Sequence, residues 1–386
     1  MKINILIPVL GPSGGIRVIY EIANRLQRNH DVVLYYPVIP PEAHVRRSNH
    51  LFKLASASIN ALNRTRNSVE WMDLNVPVKK VVCFQNSCQA LLERQVRDGD
   101  ILIATSWPTA YTASELPPSK GEEYYFMQHY EIWPVWNDLD CWKEVESLNG
   151  SPSIAMADVT PDDPHLAQYK DLVDESYSLP VRIIRTSEWE EKILDQLGEN
   201  SVGSVSYGVD HELFYPSTTT EQQTVLALYR NSPEKGDRQA IAAFEKLHRR
   251  NEDIEFLMFG RSKSSQVPRF VEFEEDPSQE MIRDLYSRSD IFVYPSWVEG
   301  YGMPPMEAMA CRNALVSTDV GAVRDYTPQE GVEFVPVRDV NAIVSKVERL
   351  LQSPDRLESM KERNREYIQQ FRWEKTAEEF ESIITS

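Results

Sequence analysis

Residues 290–326 read DIFVYPSWVEGYGMPPMEAMACRNALVSTDVGAVRDY, and this stretch contains a predicted strand followed by a loop. The apolar, partly β-branched run at 291–294 has the length and composition of a buried parallel strand. Pro295 ends that strand, because proline has no amide hydrogen to give to a sheet. Gly300 and Gly302 then predict a loop whose backbone can approach a ligand closely.

A helix and a second strand are predicted directly after this loop. Pro304 and Pro305 suit the first helical turn, where a missing backbone donor costs nothing, and the strand follows at 314–317. Glu299 then lies in the loop and Glu307 in the first turn of the helix, eight positions apart. The backbone amides between them have no partner within the helix. Together with the two carboxylates, they predict a site for an anion with hydroxyl groups beside it.

The alternative is that the two glutamates have no functional role, since their spacing is common by chance and an acid in a first turn complements the helix dipole. The whole order is strand, Pro-Ser, Glu, Gly-x-Gly, Pro-Pro, Glu, small-residue helix and strand. It closely resembles the donor-site signature of glycosyltransferase family four, a group of retaining, two-domain enzymes that use nucleotide sugars. The sequence departs from this signature at Cys311-Arg312-Asn313, where the family has Cys-Gly-x-Pro, and at Asp325, where glutamate is usual.

Length and composition fit a globular protein of two domains. The chain has 386 residues, of which 41% are hydrophobic and 26% charged, and it exceeds the size of one typical core. No apolar run approaches the roughly 20 residues of a membrane span, and residues 2–9 resemble a first strand rather than a signal peptide. The four cysteines have no metal-ligand spacing. Buried free thiols in a reducing cytoplasm are therefore expected.

The charge distribution is uneven. A net charge of −18 argues against general nucleic-acid binding. Residues 44–97, however, contain nine Lys or Arg against three Asp or Glu, a local net charge of +6, so the rest of the chain carries −24. A basic segment in an acidic protein suggests contact with an anionic acceptor or a membrane surface. We expect a cytoplasmic protein whose segment 44–97 contacts the inner face of the membrane.

Strands and helices alternate along the chain, which predicts an α/β protein with two doubly wound parallel sheets. Strands are predicted at 3–9, 32–36, 81–84, 101–105, 124–127 and 181–185, and then at 225–229, 254–259, 271–273, 291–294, 314–317 and 332–335. The family resemblance implies two Rossmann-like domains facing across a cleft, the GT-B architecture. Its parts would be an acceptor-side domain at 1–185, a donor-binding domain at 186–370 and a C-terminal helix at 371–386 that packs back on the first domain.

Two cations follow a predicted strand of the second domain. Arg230 comes directly after the strand at 225–229, and Lys235 precedes an amphipathic helix. Two solvated surface charges would be the ordinary explanation, but this position also suits a diphosphate. The segment is similar to the family's Gly-Arg…Lys-Gly element, whose cations hold the donor diphosphate, although Tyr229 replaces the glycine.

A glycine-rich turn follows the first strand. Gly14 and Gly15 do not belong to a nicotinamide-dinucleotide fingerprint, because the G-x-G-x-x-G spacing is absent and the second strand ends without an acid for the ribose. A tight strand-to-helix turn is the simplest interpretation. The family resemblance implies in addition that this loop closes over the phosphates and the acceptor side of the cleft.

The resemblance assigns roles to several further positions. His129 follows the strand at 124–127 and matches a family histidine that reaches the transferred sugar, although lone histidines are more often structural. Gly260, at the end of Met258-Phe259-Gly260, would flank the nucleoside base. Glu307 would hold the ribose, while Gly300, Tyr301, Gly302 and Met303 would contact the donor.

We expect no metal and no cofactor other than the donor substrate. Asp138-Leu139-Asp140 superficially matches the metal-binding Asp-x-Asp of the other glycosyltransferase fold, but no nucleotide-binding half precedes it. A solvated turn is the preferred interpretation. In the family, cations and a helix N-terminus supply the positive charge.

The sequence therefore predicts a retaining glycosyltransferase with Glu299, Arg230, Lys235 and His129 at the reaction centre. It would move a sugar from a nucleoside diphosphate to a hydroxyl of a glycan or lipid-linked glycan, in cell-surface polysaccharide synthesis. Two alternatives remain open. One is a non-catalytic subunit that binds sugar nucleotides as a scaffold in a glycan assembly complex, and the other is a nucleotide-sugar epimerase on the same fold.

Overall fold

The computed structural model describes residues 1–11, 13–39, 72–84, 89–145, 152–218 and 222–386. Within these ranges the chain forms two parallel sheets with helices packed on them, so the predicted α/β architecture is confirmed. Most of the basic segment 44–97, with its predicted membrane-facing surface, lies outside the described residues. No helix in the described ranges combines the length and the apolar composition that a membrane crossing requires.

The first sheet has seven strands in the described chain, in the order β3-β2-β1-β4-β5-β6-β7. They are β1 (Lys2–Leu6), β2 (Asp31–Ile39), β3 (Val78–Cys83), β4 (Ile101–Ala104), β5 (Glu122–Phe126), β6 (Arg182–Arg185) and β7 (Ser201–Ser204). The helices of this part are α1 (Gly14–Leu26), α2 (Gln89–Gln95), α3 (Trp107–Glu115), α4 (Trp133–Trp136), α5 (Leu139–Val145), α6 (Pro152–Ala155), α7 (Pro164–Tyr177) and α8 (Glu188–Leu197). All neighbouring strands are parallel, so their carboxyl ends meet at one edge.

The second sheet has six strands among the described residues, in the order β10-β9-β8-β11-β12-β13. They are β8 (Thr224–Leu228), β9 (Glu255–Gly260), β10 (Val271–Glu275), β11 (Ile291–Tyr294), β12 (Ala314–Thr318) and β13 (Val332–Val335). The helices are α9 (Asp237–Arg250), α10 (Gln279–Ser287), α11 (Met303–Ala310), α12 (Val323–Tyr326), α13 (Val340–Leu351) and α14 (Pro354–Ile368). Every residue of β11 is buried, as its apolar run predicted.

The first sheet continues past the domain boundary predicted at 185/186. Strand β7 pairs with β6 at the edge of the sheet and is connected to it by α8. The sequence analysis did not predict β7, because its residues Ser-Val-Gly-Ser alternate between half-buried and exposed and contain no apolar run. The connection between the two sheets therefore lies at 205–223.

The C-terminal helix α15 (Trp373–Ile384) packs back on the first domain, as the family resemblance implied. The rings of Phe380 and Phe126 meet edge to face with their centroids 5.1 Å apart. At the rim of this contact, Arg25 Nε donates to Glu374 Oε1 at 3.0 Å. Residues 369–372 separate α14 from α15, so the C-terminal helix predicted at 371–386 begins two residues later, at Trp373.

The packing of α15 predicts a stabilising role for the end of the chain. Phe380→Ala removes a buried ring and should destabilise the first domain by about 3 kcal/mol, lowering its thermal midpoint by roughly 6 °C or more. Glu378→Ala, on the exposed side of the same helix, is the control and should change stability by less than about 0.5 kcal/mol. The thermal midpoints would be measured by circular dichroism. Equal midpoints for the two variants would contradict this role for α15.

Candidate functional site

The candidate site lies where the two sheets face each other. The strand order reverses between β1 and β4 in the first sheet and between β8 and β11 in the second. Ligands of parallel sheets bind at such reversal points, beyond the carboxyl ends of the strands. Residues that follow these strands line two adjoining cavities of about 450 and 630 Å³. We call them the Glu299 cavity and the Glu307 cavity, and Gly14, Arg230 and Met303 line both.

All of the site residues predicted from the sequence line one or both cavities. The Glu299 cavity is lined by Gly14, Gly15, His129, Arg230, Lys235, Glu299, Gly300, Tyr301, Gly302 and Met303. The Glu307 cavity is lined by Gly14, Arg230, Gly260, Met303 and Glu307. The fold thus brings together residues that are separated by up to about 290 positions in the sequence.

The loop before α11 crosses the cleft to the first domain. A Cβ atom at Gly300 would lie 2.0 Å from the backbone oxygen of Gln128, so only glycine fits there. Gly302 has a φ of 89° and precedes the first helical residue, a conformation that glycine adopts without strain. Within the described chain, the amides of residues 301–303 donate to no acceptor. These amides are therefore available to a ligand, and the anion-binding role that the sequence assigned to this helix N-terminus stays a prediction.

Tyr301 lines the Glu299 cavity, and its buried side chain belongs to the core. Its ring stacks on that of Tyr207 with the centroids 4.1 Å apart. Its hydroxyl accepts a hydrogen bond of 2.9 Å from the amide of Tyr207. Because both contacts come from the chain that links the two sheets, Tyr301 anchors the loop.

Glu299 and Lys235 form an ion pair inside the Glu299 cavity. Lys235 Nζ lies 3.0 Å from Glu299 Oε2, and the Ser296 hydroxyl donates to Glu299 Oε1 at 2.8 Å. Burial favours the neutral acid, but the Lys235 ammonium and the hydroxyls of Tyr294 and Ser296 outweigh it. Together they lower the pKa of Glu299 below its usual value. Glu299 is therefore a fixed negative charge at neutral pH.

The two cations are held at the end of β8 by a tight turn. Lys235 ends the short helical turn Pro233–Lys235, and Gly236 follows with a φ of 73°. A Cβ atom at Gly236 would lie 2.0 Å from the backbone oxygen of Pro295, so this turn packs directly against the end of β11. The side chain of Arg230 makes no hydrogen bond or ion pair within the described residues. Its guanidinium is available to a ligand.

His129 presents a neutral ring to the Glu299 cavity. Its Nδ1 lies 2.7 Å from the carbonyl oxygen of Tyr130, so Nδ1 carries the hydrogen and donates it. Its Nε2 is buried and has no hydrogen-bond partner among the described residues. Burial, together with the nearby Lys235 ammonium, lowers the pKa of His129 to about 3. A lone pair on Nε2 is thus left to accept a hydrogen bond.

Glu307 lies one turn later in its helix than the sequence predicted. Because α11 begins at Met303, Glu307 is its fifth residue and lies in the second turn rather than the first. Its Oε1 accepts from Arg17 Nη1 at 3.2 Å, an ion pair that joins the second domain to α1 of the first. Burial raises the pKa of Glu307, while Arg17 and Arg230 oppose this effect.

The glycine positions allow backbone segments to pack closely around the cavities. Helix α1 begins at Gly14 and is capped by Ser13, whose hydroxyl accepts from the amide of Ile16 at 3.2 Å. A Cβ atom at Gly14 would lie 3.1 Å from Met303 Cε. A Cβ atom at Gly260 would lie 2.2 Å from the backbone oxygen of Tyr229, so β8 and β9 meet there without room for a side chain.

Several cavity residues were missed by the sequence analysis. Arg17, Gln128 and Trp133 line the cleft from the first domain, and Asp276 lines the Glu307 cavity from beyond β10. The sequence carried a signal for Arg17, because it lies at helical spacing from Ser13, Gly14 and Glu21. In the structure these four residues line the same cavity. Gln128 and Trp133 carried no comparable pattern.

Asp138 has a structural role at the start of α5. Its carboxylate accepts from the amides of Asp140 at 2.8 Å and Cys141 at 3.2 Å, and so it caps the helix. In the part of the chain that the structure describes, no three His, Cys, Asp or Glu side chains are grouped as metal ligands.

Comparison with known proteins identifies a family domain in the second half of the chain. Residues 214–367 match the family model described as glycosyl transferases group 1. The alpha-maltose-1-phosphate synthase of Mycolicibacterium smegmatis is 24% identical, over 47% of this chain and 56% of the relative. The chain thus spans about half the length of this curated relative.

Solved structures resemble the whole chain. The sucrose-phosphate synthase of Thermosynechococcus elongatus superimposes with a TM-score of 0.71 at 15% identity, covering 100% of this chain and 98% of that one. HepE from Anabaena, solved with UDP and glucose, gives a TM-score of 0.68 at 13% identity, with 100% of both chains covered. These neighbours confirm the architecture of two Rossmann-like domains.

The buried ion pair predicts a pH-dependent stability. Lys235→Met leaves the Glu299 carboxylate without its cation and should lower the free energy of unfolding at pH 7 by about 2 kcal/mol. The double variant Lys235→Met/Glu299→Gln, which removes both charges, should recover at least half of this loss.

The difference in free energy of unfolding between wild type and Lys235→Met should also depend on pH, and it should shrink as the pH falls. The folded pKa of Glu299 lies below its ordinary value of 4.5, so the pair stabilises the protein above that value and the gain is lost as the pH falls through the folded pKa. Urea unfolding of wild type and Lys235→Met should therefore converge in acid. A difference that grows below pH 4.5 would contradict the charge assignment.

Proposed function

We propose that this chain, whose residues 214–367 match the group 1 glycosyltransferase family model, moves a sugar from a nucleoside diphosphate to a hydroxyl group with retention of anomeric configuration. One observation carries the proposal. Arg230, Lys235 and the unpaired amides at the start of α11 line the same two adjoining cavities as the carboxylates of Glu299 and Glu307.

The positive groups suit the diphosphate of the donor. Arg230 lines both cavities and has a free guanidinium, while Lys235 lines the Glu299 cavity. The amides of residues 301–303 add the partial positive charge of a helix N-terminus. As the bond from the sugar to the phosphate breaks, negative charge grows on the diphosphate, and prepositioned donors stabilise it without reorganisation. We therefore expect no metal requirement.

The two carboxylates suit the two polyhydroxyl parts of the donor. A carboxylate accepts hydrogen bonds through both oxygens, so it can hold a pair of neighbouring hydroxyls. Glu307 lines the larger cavity and is assigned to the ribose, whereas Glu299 shares a cavity with His129 and is assigned to the transferred sugar. Because Lys235 holds Glu299 ionised, the orientation of the sugar is coupled to the cation that meets the phosphate.

His129 is assigned a hydrogen-bonding role. Its Nε2 accepts a hydrogen bond from a sugar hydroxyl, since its low pKa keeps the ring neutral at physiological pH. A general base is not needed in a retaining transfer of this kind. The departing phosphate oxygen takes the proton of the acceptor hydroxyl on the same face as the new bond. The sugar thereby passes from phosphate to acceptor, and the nucleoside diphosphate leaves with that proton.

The proposal extends to the cellular setting. HepE, which shares the fold, was solved with UDP and glucose, in keeping with a nucleotide sugar as donor here. We propose a glycan or lipid-linked glycan as acceptor, in cell-surface polysaccharide synthesis on the cytoplasmic side. The basic segment 44–97 would then contact the anionic inner face of the membrane.

Nucleotide binding is the first test of this proposal. One of UDP, dTDP, GDP and ADP should stabilise the protein by roughly 2.7 kcal/mol at a hundred times its dissociation constant, as a rise in thermal midpoint. Glu307→Gln should lose most of that rise, because the neutral amide has one acceptor oxygen where the carboxylate offers a separate oxygen to each ribose hydroxyl. If no nucleotide raises the thermal midpoint, the donor-site assignment is wrong. Nucleotide binding without turnover of any donor would favour a non-catalytic scaffold.

Sugar transfer provides the second test. Lys235→Ala should lower the transfer rate at least tenfold, which corresponds to about 1.4 kcal/mol of transition-state stabilisation. Lys375→Ala is the matched control, because Lys375 is an exposed lysine of α15, and it should leave the rate unchanged. Release of nucleoside diphosphate from the donor identified above would be measured with and without acceptor. Equal rates for the two variants would remove Lys235 from the reaction centre.

A further inference from the structure

Trp297 belongs to the second domain but is buried among side chains of the first. It lies just beyond β11 and is 4% exposed. Together with Val298 it belongs to a buried cluster whose other described members all come from residues 6–194. The guanidinium carbon of Arg338 lies 4.9 Å from the centre of its ring. The indole therefore fastens the end of β11 to the first domain.

The main aromatic partner of Trp297 in the first domain is Trp142. Trp142 lies in α5 and is 1% exposed. The two rings meet edge to face, with their centroids 5.2 Å apart and their planes at 77°, an arrangement that attracts beyond the area that it buries. Neither indole is among the residues that line the two cavities. Both tryptophans can therefore affect a bound substrate only through other residues.

Hydrogen bonds lead from Trp142 to His129. The indole N–H of Trp142 donates to the carbonyl oxygen of Trp136 at 2.8 Å. The indole N–H of Trp136 donates in turn to the carbonyl oxygen of Tyr130 at 2.9 Å. The same oxygen accepts from His129 Nδ1 at 2.7 Å, the contact that fixes the tautomer of the ring. We call Trp297, Trp142 and Trp136 the tryptophan bridge.

The other end of the tryptophan bridge adjoins Glu299, two positions after Trp297. The carbonyl oxygen of the intervening Val298 accepts from Lys235 Nζ at 3.4 Å, and the same ammonium pairs with the Glu299 carboxylate. On the other side of Glu299, Gly300 approaches the first domain closely. Glu299 is therefore held between two contacts with the first domain.

We propose that the tryptophan bridge sets the position of Glu299 relative to His129, and that Trp297 and Trp142 are positioning residues for sugar transfer. The inference rests on the proposed function, because it takes these two groups to hold the transferred sugar from opposite domains. Misplacement of a reacting group by about 1 Å can lower a rate on the order of a hundredfold. The tryptophan bridge should therefore affect turnover more than donor binding.

Steady-state kinetics of sugar transfer by the full chain test this inference. Trp297→Leu and Trp142→Leu should each lower kcat about tenfold and leave the donor KM within about threefold, because the donor still binds but its sugar is held less accurately. The double variant should also lose about tenfold rather than the hundredfold of two independent changes, since each single variant already removes the shared contact.

Phe244→Leu is the matched control. Phe244 is fully buried in α9 of the second domain and lines neither cavity. Its replacement also removes part of a buried aromatic ring, so the thermal midpoint should fall. We expect kcat to stay within about twofold of wild type where the variant is folded. The control thus separates positioning from a general loss of core packing.

Conservative variants test the two kinds of contact in the tryptophan bridge. Trp297 Nε1 has no hydrogen-bond partner among the described residues, so Trp297→Phe, which keeps an aromatic ring, should retain kcat within about threefold. Trp142→Phe also keeps a ring but loses the hydrogen bond to the Trp136 carbonyl. It should therefore lower kcat at least about threefold more than Trp297→Phe does.

The nucleotide thermal shift reports whether each variant is folded with an intact donor site. Every variant should keep the shift, because Arg230 and Glu307 are not part of the tryptophan bridge. If the leucine variants lose it, the phenylalanine pair decides. The inference is overturned if Trp297→Leu has the kcat of Phe244→Leu, if the two leucine losses multiply, or if the two phenylalanine variants have equal kcat.

These kinetics also separate the inference from the proposed function. If the wild type transfers sugar and any of these contrary results is found, the proposed function stands and the positioning role fails. If the wild type transfers sugar from none of the donors, the proposed function fails and the inference fails with it.

Discussion

The cleft depends on the close approach of residue 300 to the first domain. Only glycine can bring the loop to the carbonyl oxygen of Gln128, because any Cβ atom would overlap with it. This approach places Glu299 and the free amides of α11 opposite His129. The stacking of the Tyr301 ring on that of Tyr207 fixes the same loop against the segment that links the two sheets. The geometry on both sides of the cleft therefore follows from one steric constraint.

The two glutamates differ because their partners come from different places. Glu299 is neutralised within its own domain by Lys235, and its pKa is lowered. Glu307 depends on Arg17 across the cleft, and burial raises its pKa. Opening the cleft would separate Arg17 from Glu307 and leave the first pair intact. The diphosphate side of the site is thus built into one domain, whereas the charge balance at Glu307 requires both domains together.

Local sequence patterns predicted much of the fold. The buried strand at 291–294, the loop glycines and the prolines in the first turn of α11 follow from properties of neighbouring residues, so the sequence predicted them. The edge strand β7 was missed, because an edge strand with exposed residues carries no apolar signal. Glu307 was placed one turn too early, since helix boundaries depend on the conformation of Gly302 rather than on proline positions alone.

From the sequence alone one obtains the alternation of strands and helices, the two glutamates and two cations after strands, and the resemblance that connects them. These signals are local, because each is carried by residues within a few turns or one strand. The tertiary structure decided which groups meet. Arg17 reaches Glu307, and Gly300 approaches Gln128, and each of these contacts joins a residue of the first domain to one of the second. Such contacts depend on how the two sheets face each other, which no stretch of the chain encodes by itself.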